Sequence, residues 1–113
     1  MTEANNALAT ASPTSRAIYK KLLAAIKPIG PFQEEIKKTS IHLVRESAFA
    51  GVHPRSQHVL LTIKAEKPIR SPRVAKAEQV SKNRWHLDVK ISNIEEIDDE
   101  LLGWLRQAYD LCA

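Results

Sequence analysis

The spacing of hydrophobic positions changes along the chain, and the changes predict its elements. After Ser12, the residues Ile18, Leu22, Ala25, Ile26 and Ile29 recur at helical spacing, giving one apolar side. Ser12 followed by Pro13 has the form of an N-cap with proline at the first helical position. Pro28, Gly30 and Pro31 predict the end of that helix, because neither residue type continues one cheaply.

The period then shortens from about 3.6 to about 2. Phe32, Glu34 and Ile36 alternate weakly with polar neighbours, Ile41 and Leu43 flank His42, and Val59, Leu61, Ile63 and Ala65 alternate with His58, Thr62 and Lys64. Each predicts a strand with one buried side. Residues 48–53 form a short apolar run before Pro54 and predict another. The clearest strand carries Trp85, Leu87, Val89 and Ile91 on one side and Arg84, His86, Asp88 and Lys90 on the other. Between these, residues 66–83 hold two prolines, many charges and few large apolar groups. They predict a long excursion with one helical turn over 74–80, of a length that often serves function.

A second helix is expected from about Asp98, with Asp99 and Glu100 at its positive end and a stripe of Ile97, Leu101, Trp104, Leu105 and Ala108. Gly103 inside it costs about 1 kcal/mol relative to alanine, which predicts that a neighbouring group packs closely there. Residues 1–12 are small and polar and predict a flexible arm, leaving 13–113 as one domain. The order helix, four or five strands, helix predicts an α+β two-layer sandwich: an antiparallel sheet with both helices on one face and the other face open.

Composition narrows the function classes. With 113 residues, 43% hydrophobic and 27% charged, the chain suits a single self-folding core. No apolar run approaches the length needed to cross a bilayer, and the first residues lack a basic region followed by an apolar one. A cytoplasmic location and no membrane partner are expected. Cys112 is the only cysteine, so no internal disulfide can form, and its place at a helix carboxyl end disfavours a reactive thiolate. Charge is uneven: residues 37–90 carry a net +8 and residues 91–113 a net −5. A basic middle of this kind either solvates a face or receives an anion.

Catalytic signatures are poorly supported. Ser40, Ser47 and Ser56 lack a nucleophile elbow or an informatively spaced histidine and acid, and three glycines leave no phosphate-cradling loop. His53 and His58 lie near one another, but with no helical His-x-x-x-His and no second cysteine the four histidines predict structural or surface roles rather than a metal site. No cofactor is implied, and an enzyme is the less supported reading. Trp85 between Arg84 and His86 has the aromatic and basic interleaving of nucleic-acid binders, yet its alternation with Leu87, Val89 and Ile91 argues for core packing.

Four separated blocks occur together: Lys-Lys-Thr-Ser-Ile over 37–41, Phe-Ala-Gly-Val-His-Pro-Arg over 49–55, Glu-Gln-Val-Ser-Lys-Asn-Arg-Trp-His over 78–86, and Glu-Leu-Leu-Gly-Trp-Leu over 100–105 with Ala108 and Tyr109. On these the chain, from about residue 16 to 111, resembles an uncharacterised bacterial family catalogued as a domain of unknown function. The resemblance implies a small α+β domain, alone or joined to nuclease-like modules, with relatives loosely labelled predicted transport protein. It implies no catalytic residues.

If alternation holds, His42, His58, Lys64, Arg84, His86 and Lys90 project from the helix-free face, with Arg45 and Arg55 near strand ends. The leading expectation is a non-enzymatic module that binds an anionic ligand or nucleic acid there, bordered by the 66–83 excursion. A small-molecule domain or enzyme with a pocket on the same face, or a homodimerising protein, would use the same residues.

Overall fold

Ser12 caps the first helix, its hydroxyl accepting the Ser15 amide at 3.1 Å, and Pro13 opens it. A computed structural model describes residues 6–113. Helix α1 runs Pro13–Ile26, and Pro28 does not stop the chain abruptly, because the tighter turn Lys27–Ile29 continues it without needing the missing amide. Six strands follow: β1 Gln33–Ile36, β2 Ile41–Val44, β3 Ala48–Pro54, β4 Val59–Ala65, β5 Val74–Ser81 and β6 Arg84–Ile91. Helix α2, Asp99–Leu111, closes the order, with the Asp98 carboxylate accepting the Leu101 amide.

The fold is α+β, and its antiparallel sheet has six strands in the order β1-β2-β3-β4-β6-β5, larger than the four or five expected. The added strand is β5, in the segment predicted to be an excursion with a helical turn. It lies at the sheet edge with nearly every residue exposed, and register shifts around Ala75 and Val80 break its alternation. An edge strand that buries neither side and carries two bulges has no period-2 apolar signal to read. Strand β1, at the other edge, is also exposed along its length, with Ile36 41% accessible, so the expected buried side is absent.

The core lies on one side of the central strands. Ile41, Leu43, Val52, Leu61, Ile63, Val89 and Ile91 have no accessible surface and share a cluster with Ile18 and Leu22 of α1 and Leu101 and Leu105 of α2. Burying a side chain of this size contributes about 1.5–3 kcal/mol, so this layer dominates stability. A bulge in β3 pairs Leu43 with Ala50 and Val44 with Ala48, leaving Phe49 as the extra residue. The local twist places Phe49 in the core, edge-on to Phe32 and Tyr109. Trp85 sits on the same side as Leu87 by register but is only half-buried and outside the cluster, near the β5–β6 hairpin.

Two further expectations change. Gly103 has nothing within 4 Å of a Cβ built on it, so no close packing accounts for it. Gly30 is the tight position: an added Cβ would lie 2.8 Å from Tyr109 Cζ, while the Tyr109 hydroxyl donates to Pro31 O at 2.7 Å. The expected flexible arm over 1–12 docks from Asn6 onward: Ala7 is buried, its amide bonds Lys37 O, and Arg16 donates to Ala9 O. Its first five residues lie outside the described ones.

The 66–73 connection stays on the helix side. Ile69 packs against the core, and the Arg73 guanidinium reaches Asp98 at 2.9 Å, Glu100 at 3.1 Å and Glu96 O at 2.5 Å. Part of the basic middle is therefore neutralised within the molecule by the acidic tail, and this connection does not border the open face.

Candidate functional site

On the side of the sheet away from the core cluster, cross-strand register aligns His42 with Gly51, Gly51 with Thr62 and Thr62 with Asp88. The next level pairs Lys64 with His86, and His86 with Glu78. Toward the opposite end, His53 faces Leu60, which faces Lys90. Strict alternation in β2, β4 and β6 sends these side chains out together, since each one's neighbours in sequence are committed to the core.

They enclose an open depression of about 230 Å³ lined by His42, Gly51, His53, Thr62, Lys64 and His86. Gly51 is its floor: a methyl group there would lie 3.5 Å from His53 Nε2 and 3.9 Å from His42 Cδ2. The space exists because this residue has no side chain, and both imidazoles border it. Thr62 Oγ1 donates to Asp88 Oδ1 at 2.7 Å, which occupies the one carboxylate of the central strands on this side.

Burial, with neighbouring cations, disfavours the protonated form of two of the imidazoles. Burial pushes the His53 pKa below its usual 6.5, and the charges of Arg55 and His42 lower it further against the opposing pull of Asp88. His58 is lowered by desolvation and by Lys90 and Arg55. A neutral imidazole offers one donor and one acceptor nitrogen, so the wall of the depression can meet an anion's oxygen or the edge of a polar ring. Among the described residues, no group of three or more His, Cys, Asp or Glu side chains is placed to hold a metal ion.

Of the residues singled out in the sequence, His42, Lys64 and His86 line the depression. Lys90, His58 and Arg55 gather at the β3–β4 end of the same strands, where both cations act on His58. Arg84 stands apart at the tip of the β5–β6 hairpin, donating to Asn83 O at 2.7 Å. Arg45 does not belong to the face at all. Its guanidinium donates to Tyr109 O at 3.1 Å, lies 4.2 Å from the Tyr109 ring centroid and approaches Asp110 at 4.0 Å, because the β2–β3 turn faces the end of α2.

His53 and Gly51 are the members the sequence pattern missed. The Phe49 bulge disturbs the parity of β3, so counting from its start puts His53 on the side of Phe49. The signal that could have found them was a lone glycine inside a strand, which often marks a bulge or a close approach. Ser15 was also missed. Fully buried on the apolar stripe of α1, its hydroxyl donates to the carbonyls of the β3–β4 turn, Arg55 or His58, and so fixes Arg55 relative to α1.

These features define a small α+β domain built on a six-stranded antiparallel sheet, with imidazoles and cations on its uncovered side. The chain belongs to the family described as Domain of unknown function (DUF5655), whose model matches residues 4–112. No curated protein and no solved structure matches it. No helix among the described residues is long and apolar enough to cross a membrane.

Proposed function

We propose that this domain is a binding module, without catalysis of its own, that takes an anionic ligand on the sheet face opposite the helices. The observation that carries the reading is the depression over Gly51, where His42, His53 and His86 converge with Lys64 and the carboxylate of the central strands, Asp88, is engaged by Thr62. Imidazole nitrogens and an ammonium group supply directional and charge-assisted hydrogen bonds to an oxyanion, and the open shape leaves room for whatever group bears it. A cytoplasmic setting goes with this reading.

The test is a titration of the full chain with inorganic phosphate, followed by the ring resonances of its four histidines. His42, His53 and His86 shift together and saturate, and Lys64→Gln weakens the effect several-fold. Ring resonances that stay fixed through millimolar phosphate refute the proposal.

A further inference from the structure

We infer that the ligand this face is built to hold is single-stranded nucleic acid, laid along a cationic track that leaves the depression at Lys64 and runs over the β3–β4 turn to Arg55. The inference rests on the anion-binding reading above and names its ligand class.

The track follows from register. Lys90 lies opposite Leu60, four residues from Lys64 along β4, and His58 lies two residues further, beside Lys90 and Arg55. At about 3.3 Å per residue, the Lys64 and Lys90 levels stand about 13 Å apart, and the Lys64 and His58 levels about 20 Å. One small oxyanion cannot reach both ends, whereas a chain of linked phosphates can.

The acids define the path. Among the described strand residues three face this side: Asp88, held by Thr62, Glu78, opposite His86 on one edge strand, and Glu35, opposite His42 on the other. Strands β3 and β4 contain no acidic residue. A polyanion therefore meets least repulsion along these two strands, between the acidic edges β1 and β5. Arg55 also borders a second cavity of about 450 Å³ across the turn, lined by Lys38, Thr39 and Ser56, so the positive path continues around the corner.

The depression selects single strands over duplexes. Its volume suits one planar group, its wall is made of flat imidazoles, and its floor lacks a side chain. Stacking on flat side chains needs an unpaired base whose ring face is free, and it tolerates any sequence. A duplex hides its ring faces within its own stack.

The test measures fluorescence anisotropy of a labelled oligothymidylate of about twelve nucleotides with the full chain over a salt series. Affinity falls linearly on logarithmic axes as salt rises. Lys90→Gln and Arg55→Gln each make that slope shallower by about 0.7, the value for one lost phosphate contact on a single strand. Gly51→Ala, whose added methyl fits at ordinary contact distance, weakens binding several-fold without altering the slope. Lys20→Gln, on the exposed side of α1, changes neither. Slopes unchanged in both cation variants overturn the track, as does a duplex of equal length that competes as well as the single strand. Phosphate that shifts the imidazoles while the oligonucleotide binds no more tightly overturns this inference and leaves the depression as a small-anion site. Failure of both ligands removes the two readings together.

Discussion

The two sides of strand β4 differ more than any two separate regions of the molecule. Leu61 and Ile63 are wholly buried against the helices, while Thr62 and Lys64, between and beyond them, look out of the opposite side half-buried among imidazoles. One backbone thus serves a stabilising layer and an open chemical surface, divided residue by residue. The contrast teaches that substitutions one position apart should act through different quantities: unfolding free energy on one side and ligand affinity on the other.

The largest expected effect tests that division. Ile63→Ala removes a buried side chain that cannot be replaced by solvent and should cost about 2–5 kcal/mol in urea unfolding, whereas Lys64→Ala should stay within about 0.5 kcal/mol of the parent. Equal losses from the two would erase the distinction.

The glycines sharpen it next. Gly30→Ala must displace Tyr109, which is fixed by its bond to Pro31 O, its edge-on contact with Phe49 and the Arg45 guanidinium over its ring. A loss of about 1–3 kcal/mol is expected. Gly103→Ala, in open space on a helix, should instead gain up to about 1 kcal/mol, visible as a higher Tm.

Acid should act on the two sides through different groups. His53 and His58 have folded pKa values below 6.5, so between 6.5 and those lower values the unfolded chain binds more protons than the folded one. Stability on their account is full above pH 6.5 and declines as pH falls below it. His53→Gln should flatten that part of the profile, read from urea midpoints between pH 7.5 and 5. On the helix side, Arg73 and the Leu101 amide hold Asp98 below its usual 3.8, so its contribution persists to lower pH and disappears as pH falls through the depressed value. Asp98→Asn should remove only that later loss.

The smallest effect belongs to the exposed ion pairs. Arg73→Lys keeps the charge but loses the fork that spans Asp98, Glu100 and Glu96 O, and should cost about 1 kcal/mol, with most of the difference gone at 1 M salt.

Much of this division was legible in the sequence, for a physical reason: wherever a strand buries one side, its alternation is written in residue type. That holds for β2, β4 and β6, and for the Ser12 cap of α1. It fails at β5 and β1, whose edge positions bury nothing and so impose no pattern, and at β3, where the Phe49 bulge shifts parity and hides His53. Arg45 was misassigned because a residue beyond a strand end follows the turn rather than the pleat. The gathering of His42 and His86 was foreseeable from alternation, but the empty floor at Gly51 depends on strand register, which short-range pattern does not encode.

The division itself is tested most directly by through-space proton contacts from the imidazole rings in a solution NMR spectrum of the full chain. The ring protons of His42 and His53 should show contacts to the Gly51 α-protons and the Thr62 methyl, and none to Leu22, Leu101 or Leu105. Contacts from either ring to those helical leucines would mean that the imidazoles lie under the helices, contradicting the account.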